Sequence, residues 1–102
     1  TLEIDSNAAD LYYYKALVYI ALNNYAAASA SLYKCIELDS GYTDAYFYMG
    51  ASFDNMGEYE NAVIYYKKFI DLLKNSGKSR AERIKYAENR ILKLEKKLKE
   101  KN

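Results

Sequence analysis

Residues 9–42, ADLYYYKALVYIALNNYAAASASLYKCIELDSGY, and residues 43–76, TDAYFYMGASFDNMGEYENAVIYYKKFIDLLKNS, are the two stretches whose comparison decides the fold. Laid over each other at an offset of 34 residues, Asp10 falls on Asp44, Tyr12 on Tyr46, Tyr14 on Tyr48, Tyr25 on Tyr59, Ala28 on Ala62, Lys34 on Lys68, Ile36 on Ile70 and Leu38 on Leu72. Ala16 meets Gly50, Tyr19 meets Phe53, Asn23 meets Gly57 and Tyr13 meets Phe47, so small residues, aromatics and turn formers each recur in kind. A period of this length that preserves residue character is the mark of stacked supersecondary units.

Within each period the apolar residues recur at three and four, as in Tyr12, Ala16 and Tyr19 and again in Ala28, Leu32, Cys35 and Ile36, which is the spacing of an amphipathic helix. Each unit divides at Asn23-Asn24 or Gly57-Glu58, where Asn and Gly tolerate the left-handed conformation that ends a helix. The pattern predicts helices over 8–22, 25–38, 42–56 and 59–73, with longer turns at Asp39-Ser40-Gly41 and Asn75-Ser76-Gly77. Residues 2–6 line up at the same offset with Ile36–Ser40, so residues 1–8 read as the remnant of a preceding unit, followed by units at 9–42 and 43–76. From residue 77 to 102 a single charged helix is expected, with a seam of Ile84, Ala87, Ile91, Leu94 and Leu98.

Tyr46, Met49-Gly50, Phe53, Gly57, Tyr59, Ala62, Tyr66 and Phe69 resemble the pattern W-x2-L-G-x2-Y…A-x3-F of the tetratricopeptide repeat family. Tyr12, Ala16, Tyr19, Tyr25, Ala28, Leu32 and Cys35 match it in kind, while Lys15 stands at a Leu position and Ser40 and Lys74 replace the terminal Pro. The resemblance implies an all-α, alpha-alpha superhelix of antiparallel helix pairs, closed by a long C-terminal capping helix. It also implies a concave side lined by the first helix of every unit. Small residues at Ala16/Gly50 and Ala28/Ala62 suit close helix approach, and Tyr12/Tyr46, Tyr19/Phe53 and Leu32/Tyr66 suit the space between pairs.

The composition narrows the function. The chain has no histidine and a single cysteine, which removes His-based acid–base and triad chemistry, clustered Cys/His zinc sites and an intrachain disulfide. Cys35 falls on a core-facing position, where a lone thiol acts as a small hydrophobe. No enzyme, cofactor or metal site is expected. The opening residues lack the form of a signal peptide, no run reaches the roughly 18 apolar residues of a membrane span, and the compartment stays open with the cytoplasm as default. The expected role is a non-catalytic scaffold that binds a protein or peptide segment.

By the family resemblance, the groove residues are those of the first helices that point away from the second: Asp10, Tyr13, Tyr14, Leu17, Ile20 and Ala21, then Asp44, Phe47, Ala51, Asp54 and Asn55. This is an aromatic and apolar floor edged with acid, suited to apolar or basic partner segments. One branch of the family grips a C-terminal carboxylate with Lys, Arg and Asn at such places; Tyr13, Leu17, Phe47 and Ala51 do not supply those groups. Consecutive rings such as Tyr12-Tyr13-Tyr14 point in different directions on a helix and make no single stacking platform.

Residues 74–102 hold eleven Lys/Arg and four Asp/Glu, net +7, leaving four and ten for residues 1–73, net −6, so the formal total of +1 conceals a dipolar chain. A solvated cap is the first reading of the basic helix. Homo-oligomerisation through its seam or through an exposed N-terminal face is the alternative, and nucleic-acid binding is the least favoured, since acids are interspersed and Tyr86 is its one aromatic.

Overall fold

The computed structural model describes residues 2–76 and 81–100. Five helices follow in order: α1 (Leu2–Ala21), α2 (Tyr25–Leu38), α3 (Thr43–Asn55), α4 (Tyr59–Ser76) and α5 (Ala81–Glu100). Neighbours in sequence pack as neighbours in space, α1 on α2, α2 on α3, α3 on α4 and α4 on α5, giving an elongated body of 48 × 32 × 20 Å. This is an all-α helical repeat solenoid. Among the described residues no helix is long and apolar enough to cross a membrane.

The two turns inside the units are built alike. Asn23 has φ 62° and Gly57 φ 79°, both in the left-handed region. In each turn the following amide reaches back five residues, Asn24 N–H to the Tyr19 carbonyl at 2.8 Å and Glu58 N–H to the Phe53 carbonyl at 2.9 Å. The residue at positive φ donates to the carbonyl three before it, Asn23 to Ile20 at 2.9 Å and Gly57 to Asp54 at 3.1 Å, so orphan carbonyls of the helix end are satisfied. Asn24 also caps α2, accepting from the Ala27 amide at 3.3 Å. Between units, the Asp39 carboxylate accepts from the Gly41 amide at 3.0 Å, an Asx turn that starts the reversal into α3.

Two apolar clusters fill the stack. Ala9, Ala16, Ala28, Leu32, Cys35, Ala45 and Met49 join α1, α2 and α3; Tyr46, Ala62, Val63, Tyr66, Phe69, Ile70, Leu73, Ala87, Ile91 and Leu94 join α3, α4 and α5. Ile36, Phe53 and Tyr65 pack against both and make the core continuous. Burial pushes the Cys35 thiol up to about 12, which keeps it protonated and unreactive.

α2 has the expected bounds and α3 is one residue shorter at each end, while α1 and α4 run longer than the periodicity alone implies. α1 begins at Leu2 rather than near residue 8, because no Gly or Pro interrupts Leu2–Ala9. α4 continues to Ser76 through the expected turn residues Asn75 and Ser76, while Gly77 lies outside the described residues. The seam of α5 is used within the chain: Ala87, Ile91 and Leu94 are buried and Ile84 packs against their cluster.

Candidate functional site

Rings from the three odd-numbered helices touch one another in a continuous row. Tyr14 and Tyr13 of α1 lie 5.5 Å apart between ring centroids, Tyr13 and Tyr48 of α3 5.9 Å, Tyr48 and Phe47 5.3 Å, and Phe47 and Tyr86 of α5 5.8 Å. The contacts are edge-on or tilted, the arrangements that aromatic quadrupoles favour. The ends of the row are open: Tyr14 is 60% and Tyr86 49% exposed. Its middle is seated, with Phe47 half-buried on Phe69 at 5.0 Å and Tyr66 at 6.0 Å. Arg83 of α5 lies over both Phe47 and Tyr48, at 5.4 and 5.9 Å from the ring centres.

The acids expected at the edge each have an internal partner. Asp10 accepts a 2.6 Å hydrogen bond from the Tyr42 hydroxyl. Asp44 accepts from Arg83 Nη1 at 2.9 Å. Asp54 is gripped by both arms of Arg90, Nε to Oδ2 at 2.7 Å and Nη2 to Oδ1 at 2.6 Å, and also accepts from the Tyr66 hydroxyl at 3.2 Å. The hydrogen bond to Asp54 holds the Arg90 guanidinium above its ordinary value, against the cost of burial. Burial raises the phenols of Tyr13, Tyr42 and Tyr66, and the nearby carboxylates Asp44, Asp10 and Asp54 add to the shift in turn.

Of the other expected groove residues, Leu17 and Ala51 are half-buried and Ala21 and Asn55 are exposed, the Asn55 amide donating to the Ala51 carbonyl at 2.8 Å. Ile20 packs against the α1–α3 cluster. Tyr48, Tyr86 and Arg83 were not among the expected residues. Tyr48 could have been found, since it falls on Tyr14 at the repeat offset; Arg83 and Tyr86 lie beyond the repeats and carry no such signal. Three cations of α5 are engaged within the chain: besides Arg83 and Arg90, Lys97 lies 5.1 Å over the Tyr59 ring. An acid of the same helix, Glu95, pairs with Lys67 of α4 at 3.2 Å. Among the described residues no group of three or more His, Cys, Asp or Glu is placed to hold a metal ion.

A recess of about 380 Å³ lies apart from this row, between α2 and α4, lined by Ser29, Ala30, Tyr33, Met49, Phe53 and Tyr65. Phe53 and Tyr65 stack there at 5.6 Å.

Models of the tetratricopeptide repeat match residues 9–42 and residues 44–76. Two crystal structures of MamA are similar in fold. One is 27% identical with a TM-score of 0.62, over 93% of this chain and 63% of that one; the other is 28% identical with a TM-score of 0.62, over 96% and 61%. The chain therefore spans about three fifths of the length of those structures. No curated protein matches it.

Proposed function

This chain belongs to the tetratricopeptide repeat family, and on that premise we propose that it is a non-catalytic scaffold holding a partner segment along the ring row of α1, α3 and α5. Repeats of this family generally mediate protein–protein interaction, and their proteins are typically non-catalytic scaffolds. The observation that carries the finer reading is the unbroken contact from Tyr14 through Tyr13, Tyr48 and Phe47 to Tyr86. Rings restrained by their neighbours offer large contact area at little further loss of side-chain freedom, the property that makes Tyr frequent in interface hot spots.

Leu17 and Ala51 add apolar surface, and Asn55 a polar edge. Asp10, Asp44 and Asp54 contribute mainly by holding Tyr42, Arg83 and Arg90 in place. The favoured partner segment is therefore apolar or aromatic, with charge playing a smaller part than three unpaired acids would give it.

The test is a peptide-display selection against the wild type, repeated with the Tyr14→Ala/Tyr86→Ala variant. Both rings stand at open ends of the row, so the variant is expected to keep its helix content by circular dichroism and to lose the enriched peptides. Equal binding by the two proteins, or no enrichment on the wild type, rejects the reading.

A further inference from the structure

Two arginines of α5 meet carboxylates of α3, and they spend their N–H groups differently. Arg90 gives Asp54 the whole side edge of its guanidinium, Nε and Nη2 together, at 2.7 and 2.6 Å. Arg83 gives Asp44 a single arm, Nη1 to Oδ1 at 2.9 Å, and makes no other hydrogen bond among the described residues. A guanidinium carries five N–H donors. The rest of those on Arg83, including the Nε–Nη2 edge that Arg90 commits to Asp54, are left to solvent, and the side chain is 34% exposed.

The place of Arg83 matters as much as its spare donors. Its guanidinium carbon lies over the rings of Phe47 and Tyr48, at 5.4 and 5.9 Å from their centres. A cation over a ring face leaves its N–H edges free, and the contact restrains a long side chain before any ligand arrives. The charge of Asp44 opposes a second carboxylate at Arg83. Against it, α5 holds seven Lys/Arg and four Glu, net +3, and Asp54 is already matched by Arg90. The ring row continues past Arg83 in both directions, through Tyr13 to Tyr14 on α1 and to Tyr86 on α5. A segment that follows the row therefore runs on beyond Arg83 instead of ending there.

We propose that Arg83 makes the site selective for a partner segment with an aspartate or glutamate side chain among its aromatic and apolar residues. The carboxylate docks on the open Nε–Nη2 edge, as Asp54 does on Arg90, while the neighbouring residues pack along the rings. This rests on the ring-row reading and adds one charged contact to it.

The test is a display library whose random segment is flanked on both sides, selected on the wild type and followed by synthetic peptides with both ends blocked. Enriched peptides are expected to carry Asp or Glu beside an aromatic residue, and replacing that acid by its amide should weaken binding about tenfold. On Arg83→Met the acid and amide peptides should bind alike, and Arg83→Lys, which keeps the charge without the fork, should fall between. The acid-to-amide ratio is the readout, because a packing defect in the variant weakens both peptides equally. An unchanged ratio on Arg83→Met overturns the proposal, as do peptides that bind only through a free C-terminal carboxylate. Enriched peptides without acids that are lost on Tyr14→Ala/Tyr86→Ala overturn the role of Arg83 and leave the ring row standing. No enrichment, or enrichment that survives Tyr14→Ala/Tyr86→Ala, overturns the ring row and this proposal with it.

Discussion

A Cβ on Gly50 would stand 2.8 Å from Cδ1 of Tyr66 and 3.0 Å from its Cγ and Cε1, so the ring of Tyr66 occupies the space that any side chain at 50 would need. The first unit solves the same crossing differently, with Ala16 and Leu32 at the matching positions. Both Tyr66 and Leu32 are wholly buried, so the exchange is one of volume between two sites. Gly50→Ala is expected to destabilise the chain by about 1–3 kcal/mol through overpacking, despite the better helix propensity of Ala. Gly50→Ala/Tyr66→Leu, which reproduces the first unit's pair, should recover at least about 1 kcal/mol relative to the sum of the single changes in a urea-denaturation cycle. Additive losses would show that the two sites are not coupled.

The repeat period makes this crossing legible in the sequence, because it sets Gly50 over Ala16 and Tyr66 over Leu32 and marks Asn23 and Gly57 as residues that turn the chain. Those features are local to one unit and recur, so self-comparison finds them. The ion pairs to α5 were not legible. Residues 81–100 lie outside the period, and an apolar seam says which side of a helix is buried but not how far the helix is rotated about its neighbour. The expectation of an acidic rim counted Asp44 and Asp54 without Arg83 and Arg90, although the net +7 of residues 74–102 against the net −6 of residues 1–73 was the clue that the two parts compensate each other.

The Asp54–Arg90 pair joins α3 to α5 with a carboxylate whose side chain is only 10% exposed and a guanidinium at 26%. Removing Arg90 leaves that carboxylate with the Tyr66 hydroxyl alone and little water. Arg90→Ala is expected to cost about 2–4 kcal/mol, near the range for breaking a buried pair. Lys67→Ala, which breaks the exposed bridge to Glu95, should cost less than about 1 kcal/mol. Equal urea midpoints for the two variants would contradict this ranking. Arg90→Lys should not restore the loss, because an ammonium cannot replace the two-armed contact.

Stability should fall at alkaline pH. Burial raises the phenols of Tyr13, Tyr42, Tyr46, Tyr65 and Tyr66 above the usual value, and raises the Cys35 thiol to about 12. An unfolded chain releases the thiol proton near pH 9 and the phenol protons near pH 10, while the native chain retains them. Above those values the native state binds more protons than the unfolded state, so unfolding becomes easier as pH rises. The contribution is complete below about pH 8, begins to decline near pH 9 and steepens beyond pH 10; Tyr66 and Cys35, both wholly buried, each remove about 1.4 kcal/mol per pH unit once the unfolded group is ionised. Urea midpoints at pH 8, 10 and 11 should decrease in that order. The phenolate absorbance of Tyr13, Tyr42, Tyr46, Tyr65 and Tyr66 should appear only as helix signal is lost; a constant midpoint, or ionisation of these five with the helices intact, would refute the prediction.

Phe47 and Tyr14 should separate what the ring row contributes to folding from what it contributes to binding. Phe47 touches Phe69, Tyr66, Tyr48 and Tyr86 and lies under Arg83, so Phe47→Ala is expected to cost about 2–3 kcal/mol, somewhat less than a fully buried ring. Tyr14, 60% exposed and in contact with Tyr13, should lose no more than about 0.5 kcal/mol on truncation. If the row is the working surface, a peptide selected on the wild type should bind Tyr14→Ala about tenfold more weakly, at an unchanged urea midpoint. Phe47→Leu keeps most of the buried volume while removing the ring, so its loss of binding should exceed its loss of stability. A Tyr14→Ala protein that binds as the wild type, together with a Phe47→Leu protein whose binding falls only as its stability does, would reduce the row to core packing and leave the partner to another surface.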